Sequence, residues 1–177
     1  MIQDSDILYV EITPDMMNYA NKMHDKLKMD RTIESKIDTL IGLMGELVFA
    51  SWYYGDYMRG NTLAEIKENF GQPDFDKKFE IKASCHKYSP NLNLPVREDY
   101  AKKRTPQYYV QVLFDTDKPA IDTHTHALLI GWIDGFQATE GKEPRTMGRV
   151  TSYKCYLTPF RELHPMYDLK DLELINE

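Results

Sequence analysis

Phe79, Ile81 and Ala83 alternate with Glu80, Lys82 and Ser84, which is the period of a strand with one apolar and one polar face. Tyr108, Val110, Val112 and Phe114 repeat that alternation, as do Leu128, Ile130 and Trp132, so strands are predicted over 107–114 and 127–133. Shorter strands are predicted over 7–12 and 153–157. Ile37, Leu40, Ile41, Met44, Leu47 and Val48 recur at helical spacing and predict a helix from Ser35 to Tyr53, ended by Tyr54-Gly55-Asp56. Thr13-Pro14-Asp15 reads as the start of a helix running to Leu27, with Thr13 as its cap. Short helices are predicted over 62–70, stopped by Gly71, and over 165–175. The proline-bearing stretch 85–106 reads as a loop with one helical turn near 98–103, and 141–149 as a polar loop. Strands interspersed with helices predict an α/β fold, with a central mixed sheet of four to five strands and the 37–53 helix on one face. No repeat, low-complexity tract or linker divides the chain, so 1–177 is read as a single domain.

The polar face of the 79–84 strand carries the candidate chemistry. A loop of Asp76-Lys77-Lys78 pairs Phe75 with Phe79 on the apolar side and Asp74 with Glu80 on the polar side. Asp76 has the same parity as Asp74, and parity alone leaves both as candidates. Moving the loop to bring Asp76 opposite Glu80 exposes Phe79, and burying a phenylalanine is worth about 1.5–3 kcal/mol, so the register favours Asp74. Asp76 then suits a loop start, with its carboxylate on backbone N–H groups. Two facing acids repel, and a hard divalent cation with oxygen ligands relieves that repulsion. Lys82, beside Glu80, is suited to positioning a water. The bland alternative is a solvated edge hairpin.

Upstream, Gly42 and Gly45 interrupt an apolar helix just before Glu46. Each glycine costs about 1 kcal/mol against alanine in a helix interior. The pair implies close approach of the helix to the sheet, with Glu46 turned toward the acids. The alternative is a helix packed through small residues with Glu46 on its solvent edge.

Together these elements resemble the PD-(D/E)xK nuclease superfamily, of the small phage or mobile-element type. Pro73-Asp74 is similar to its PD element, Glu80-Ile81-Lys82 to its ExK element, and Ile41 to Phe49 to its first core helix. The resemblance covers most of 33–170 and implies a restriction-endonuclease-like core. It implies Glu46, Asp74, Glu80 and Lys82 as catalytic residues, with Mg²⁺ or Mn²⁺ held by Asp74, Glu80, the Ile81 carbonyl and Glu46. Lys82 orients the attacking water and offsets phosphate charge. The implied activity is metal-dependent hydrolysis of DNA phosphodiester bonds, with endo- and exonuclease action both open. A Holliday-junction or branched-DNA resolvase is the rival within the class. A non-catalytic binding protein of the same fold, inhibiting a host DNA-acting factor, is the rival outside it.

Composition modifies this picture at one point. The net charge of −6 opposes a generally basic DNA-binding surface. Residues 77–104 nevertheless hold eight Lys/Arg against three Asp/Glu. Ser84, Lys87, Lys102, Lys103 and Arg104 are therefore the expected DNA contacts, with His86 and Arg97 as further candidates. DNA is the expected partner, no membrane partner is expected, and a homodimer is compatible with the class. No apolar run reaches the roughly 20 residues of a membrane span, and the start of the chain lacks a signal-peptide core. The expected location is cytoplasmic, in the host cytoplasm for a phage protein. His124 and His126, with Cys85 or His86, make a weaker zinc alternative, and two cysteines exclude a four-cysteine cluster.

Overall fold

The computed structural model describes residues 1–27, 36–118, 120–149 and 151–175. Its strands are β1 (Leu8–Val10), β2 (Phe79–His86), β3 (Asn93–Arg97), β4 (Tyr108–Asp115), β5 (His126–Asp134), β6 (Arg145–Met147) and β7 (Tyr153–Pro159). Its helices are α1 (Pro14–Leu27), α2 (Lys36–Tyr54), α3 (Leu63–Glu68), α4 (Glu98–Arg104) and α5 (Met166–Ile175). The fold is α/β. A mixed four-stranded sheet runs β1-β5-β4-β2, and a second, three-stranded sheet runs β3-β7-β6.

Local chemistry sets most of the element ends. Thr13 Oγ1 accepts the Met16 amide at the head of α1. Thr62 and Glu65 make a reciprocal capping box on α3, which satisfies donors that a helix start leaves orphaned. Ser35, the predicted start of α2, lies outside the described residues.

Two expectations are corrected. Pro95 argued for a loop, yet Asn93–Arg97 is a strand paired with β7. β3 lies at the edge of its sheet, where the missing proline donor breaks no inner ladder. The polar loop at 141–149 likewise contains a strand, β6, whose three residues are all exposed. It pairs with β7, and its polar composition reflects a solvated edge position.

The large sheet separates two apolar clusters. Val110, Val112, Phe114 and Leu129 pack with Met44, Leu47, Val48 and Phe49 of α2 and with Met16 and Ala20 of α1. Tyr109, Leu113, Ile130 and Ile133 pack instead with Leu94 and Val96 of β3 and with Phe160 and Leu163. The layers are thus helices, the mixed sheet, and the small sheet. β2 lies at the edge of the mixed sheet, parallel to β4. Groups from both faces can therefore meet around it. Among the described residues no helix is long and apolar enough to cross a membrane.

Candidate active site

The loop before β2 has the predicted register. Phe75 and Phe79 form an antiparallel bridge, and Asp76 and Lys77 take left-handed φ values of 50° and 57° between them. Both phenylalanines are buried and lie 5.3 and 5.4 Å, centroid to centroid, from Phe49 of α2. That aromatic anchorage holds the register. The pairing does not extend to Asp74 and Glu80 as a ladder: Asp74 Oδ2 instead accepts the Ile81 amide at 2.8 Å. Asp76 is exposed and accepts the Tyr54 hydroxyl, so its expected role as a cap on backbone N–H groups gives way to a side-chain bond.

Glu80 is only 2% exposed. Lys82 Nζ reaches Glu80 Oε1 at 2.8 Å, and Arg104 Nη1 reaches the same oxygen at 3.0 Å. Glu80 Oε2 is buried and has no hydrogen-bond partner among the described residues. Burial pushes the Asp74 carboxyl up to about 7, and the Glu80 charge adds to that rise; Lys82, the Ile81 amide and Arg104 oppose it. Burial works against the Arg104 guanidinium, but the fields of Glu80 and Asp74 hold it above its ordinary value. Tyr109, opposite Glu80 across the parallel ladder, has its hydroxyl pushed up by burial and by the Glu80 charge. Two acids and two cations therefore share a poorly hydrated edge, with one carboxylate oxygen unmatched.

Glu46 reaches this edge from the other side of β2. It lines a cavity of about 50 Å³ with Asp74, Arg104, Gly60, Ile66 and the 69–72 turn, room for more than one water. The close approach expected of the helix is real at one glycine: a Cβ on Gly45 would stand 2.6 Å from Ala83 Cβ. Gly42 has open space at the same test, so its absence of side chain serves no contact.

The expected DNA contacts do not form one surface. Lys87 lies past the far end of β2, near Asp115, on the order of 20 Å from Glu80 at strand rise. Ser84 accepts from Gln111 Nε2 at 3.1 Å. Lys102 pairs with Glu98 one helical turn away, and Lys103 is exposed on α4. Arg104 points inward to Glu80 rather than outward. Nothing local marked it for that place: it stands 24 residues after Glu80, and only the packing of α4 brings it back. Gln111 was equally unreadable. It is fully buried, in register with Lys82, and its Oε1 has no partner among the described residues.

His124 is exposed in a turn, and His126 is exposed on β5 with its ring against Tyr9. Among the described residues no three His, Cys, Asp or Glu side chains are grouped closely enough to hold a metal ion as they stand. The Asp74–Glu80 pair still suits Mg²⁺ or Mn²⁺ chemically: its donors are hard oxygens, and Glu80 Oε2 is an unmatched acceptor. Mg²⁺ commonly takes only one or two carboxylates and keeps several waters. No family model, no curated protein and no solved structure matches this chain.

Proposed function

We propose that this chain is an Mg²⁺- or Mn²⁺-dependent nuclease that hydrolyses DNA phosphodiester bonds, of the PD-(D/E)xK type that Pro73-Asp74 and Glu80-Ile81-Lys82 resemble. The observation that carries the reading is the buried, unmatched Glu80 Oε2 beside an Asp74 whose carboxyl is raised toward neutrality. A solvated edge hairpin does not bury a carboxylate as Glu80 is buried here, since the penalty for a buried ion is several kcal/mol. A purely structural ion-pair cluster accounts for Glu80 Oε1, with its two cations. It leaves Glu80 Oε2 and the raised carboxyl of Asp74 unexplained.

In this reading Asp74, Glu80 and the Ile81 carbonyl would hold the cation, with Glu46 on the cavity side. The cation would supply charge against the developing negative charge of the phosphodiester. Lys82 keeps an ammonium at the Glu80 carboxylate, where it orients a water and offsets phosphate charge. Arg104 supplies a second, permanently charged group at the same place. DNA as partner, a cytoplasmic location and a homodimer belong to this proposal.

The test is incubation of the purified protein with supercoiled, linear, single-stranded and four-way-junction DNA, with Mg²⁺, Mn²⁺ or EDTA. Cleavage that needs the metal and disappears in Glu80→Gln and Lys82→Ala supports the reading, and preference for the junction selects the resolvase. Cleavage by both folded variants at the full rate rejects the assignment. The engagement of Glu80 Oε1 by both Lys82 and Arg104 favours a second reading, a non-catalytic binding protein of this fold. Its signature is DNA or protein binding with no cleavage under any metal.

A further inference from the structure

The small sheet and α4 carry a ladder of alternating rings and guanidinium groups that begins at the candidate site. Arg104, whose Nη1 lies on Glu80, stands 5.0 Å from the centre of the Tyr100 ring. Arg97 covers Tyr100 at 4.5 Å and reaches the Tyr153 ring at 5.1 Å. Asp99 grips Arg97 through both Nε and Nη2, at 3.0 and 2.8 Å, so its planar group is held in place. Tyr153 ends the ladder and is 38% exposed.

The pairing of the small sheet extends the same face. Arg97 and Arg145 both stand opposite Cys155, one from each side of β7, and Met147 stands opposite Tyr153. Directly opposed residues in antiparallel strands share a face. Tyr153 therefore lies on a face with two arginines and a partly exposed methionine. The face joins the candidate site through Arg104, whose Nη1 lies on Glu80.

We propose that Tyr153, braced by Arg97, Tyr100 and the inward-turned Arg104, is the stacking platform for a single-stranded DNA segment leading toward the Glu80–Lys82 site, with an unstacked base laid on its ring. This rests on the nuclease reading for the identity of the polymer. The chemistry selects the strand state. In a duplex the base faces are covered by their neighbours, so an exposed ring gains stacking only from a base that is already unstacked. The chain's net charge of −6 leaves general attraction to phosphate weak, and stacking then decides between strands. Arg145, exposed on β6 on the same face, supplies positive charge for the backbone.

The experiment measures binding in EDTA, where cleavage plays no part, by fluorescence anisotropy at low salt. The probes are a labelled oligothymidine and a duplex of the same length, with wild type, Tyr153→Ala and Tyr153→Phe. The expected result is tighter binding of the single strand by wild type. Tyr153→Ala should lose about fivefold or more on that probe, with the duplex unchanged and Tyr153→Phe close to wild type. An equal loss on both probes, no loss, or no binding of the single strand by wild type overturns the platform. Metal-dependent cleavage is scored separately. Tyr153-dependent binding without cleavage keeps the platform and rejects the nuclease. Cleavage with unaltered single-strand binding in Tyr153→Ala does the reverse.

Discussion

Asp74 Oδ2 accepts the backbone amide of Ile81 at 2.8 Å. The bond closes the short loop before β2 and fixes the Asp74 carboxyl against the acid that precedes Ile81. It also separates the two aspartates that sequence parity left equal. Asp74→Ala is expected to abolish cleavage and, below pH 7 where the carboxyl keeps its proton, to cost about 0.5–1.5 kcal/mol, the range for a hydrogen bond between neutral groups. Asp76→Ala removes only an exposed acceptor for Tyr54, and is expected to keep cleavage with a smaller loss of stability. Urea unfolding alongside the cleavage assay checks both; an inactive, folded Asp76→Ala with an active Asp74→Ala reverses the assignment.

The pH dependence of stability has a definite sign at Asp74. Its carboxyl is raised to about 7 in the fold, against about 3.9 in an unfolded chain. The folded state therefore holds this proton more tightly. The resulting stabilisation is complete below about pH 4, declines as pH rises toward 7 and is absent above. Asp99 behaves oppositely, because its hydrogen bond to Arg97 holds it below the usual range. The contribution of Asp74 is thus read from the difference between wild type and Asp74→Asn, which keeps an oxygen for the Ile81 amide. In EDTA the melting temperature of wild type should fall relative to the variant between pH 4 and 7, following the pKa values above. At higher pH, Mn²⁺ should raise the wild-type melting temperature and leave the variant unmoved. A difference that is flat with pH would show that Asp74 ionises normally.

The two glycines of α2 should respond to alanine with opposite signs. A methyl group on Gly45 meets Ala83 Cβ at 2.6 Å, and Gly45→Ala is expected to destabilise by about 1–3 kcal/mol through overpacking. Gly42 has nothing within 4 Å of the added carbon, and Gly42→Ala is expected to stabilise by about 0.5–1 kcal/mol. Thermal or urea unfolding of the two variants suffices. Equal effects would mean that α2 does not ride on β2 at Gly45.

The basic residues of α4 should separate into two classes. Arg104→Ala leaves the buried Glu80 with Lys82 as its remaining cation. It is expected to cost about 1–2 kcal/mol, since the Arg104 side chain is partly hydrated, and to lower cleavage. Lys102→Ala with Lys103→Ala should leave stability and cleavage chemistry intact. The pair should weaken DNA binding and flatten its salt dependence by about 0.9 in log–log slope per lost phosphate contact. A salt slope unchanged in the double variant places the DNA path elsewhere.

Features that depend on neighbours along the chain are legible in the residues themselves. The alternation of Phe79, Ile81 and Ala83 with Glu80 and Lys82 set which side chains share a face, because a strand's period is two. Phe75 and Phe79 set the loop register, because only one register buries both rings. Thr13, Thr62 and Gly55 marked helix ends through caps and a left-handed φ. Features that depend on distant partners emerge only on packing. β3 and β6 are strands because β7 pairs with both; β6 is polar and exposed throughout, and in β3 the alternation of Leu94 and Val96 is too short to outweigh Pro95 without that partner. Glu80 is covered by groups its own neighbours do not supply, Arg104 from the end of α4 among them. Arg104 reaches Glu80 because the chain returns through that helix before entering β4. Local periodicity records which face a residue takes, but the free energy that buries a carboxylate, or brings a guanidinium to it, comes from segments whose separation leaves no pattern in the residues between them.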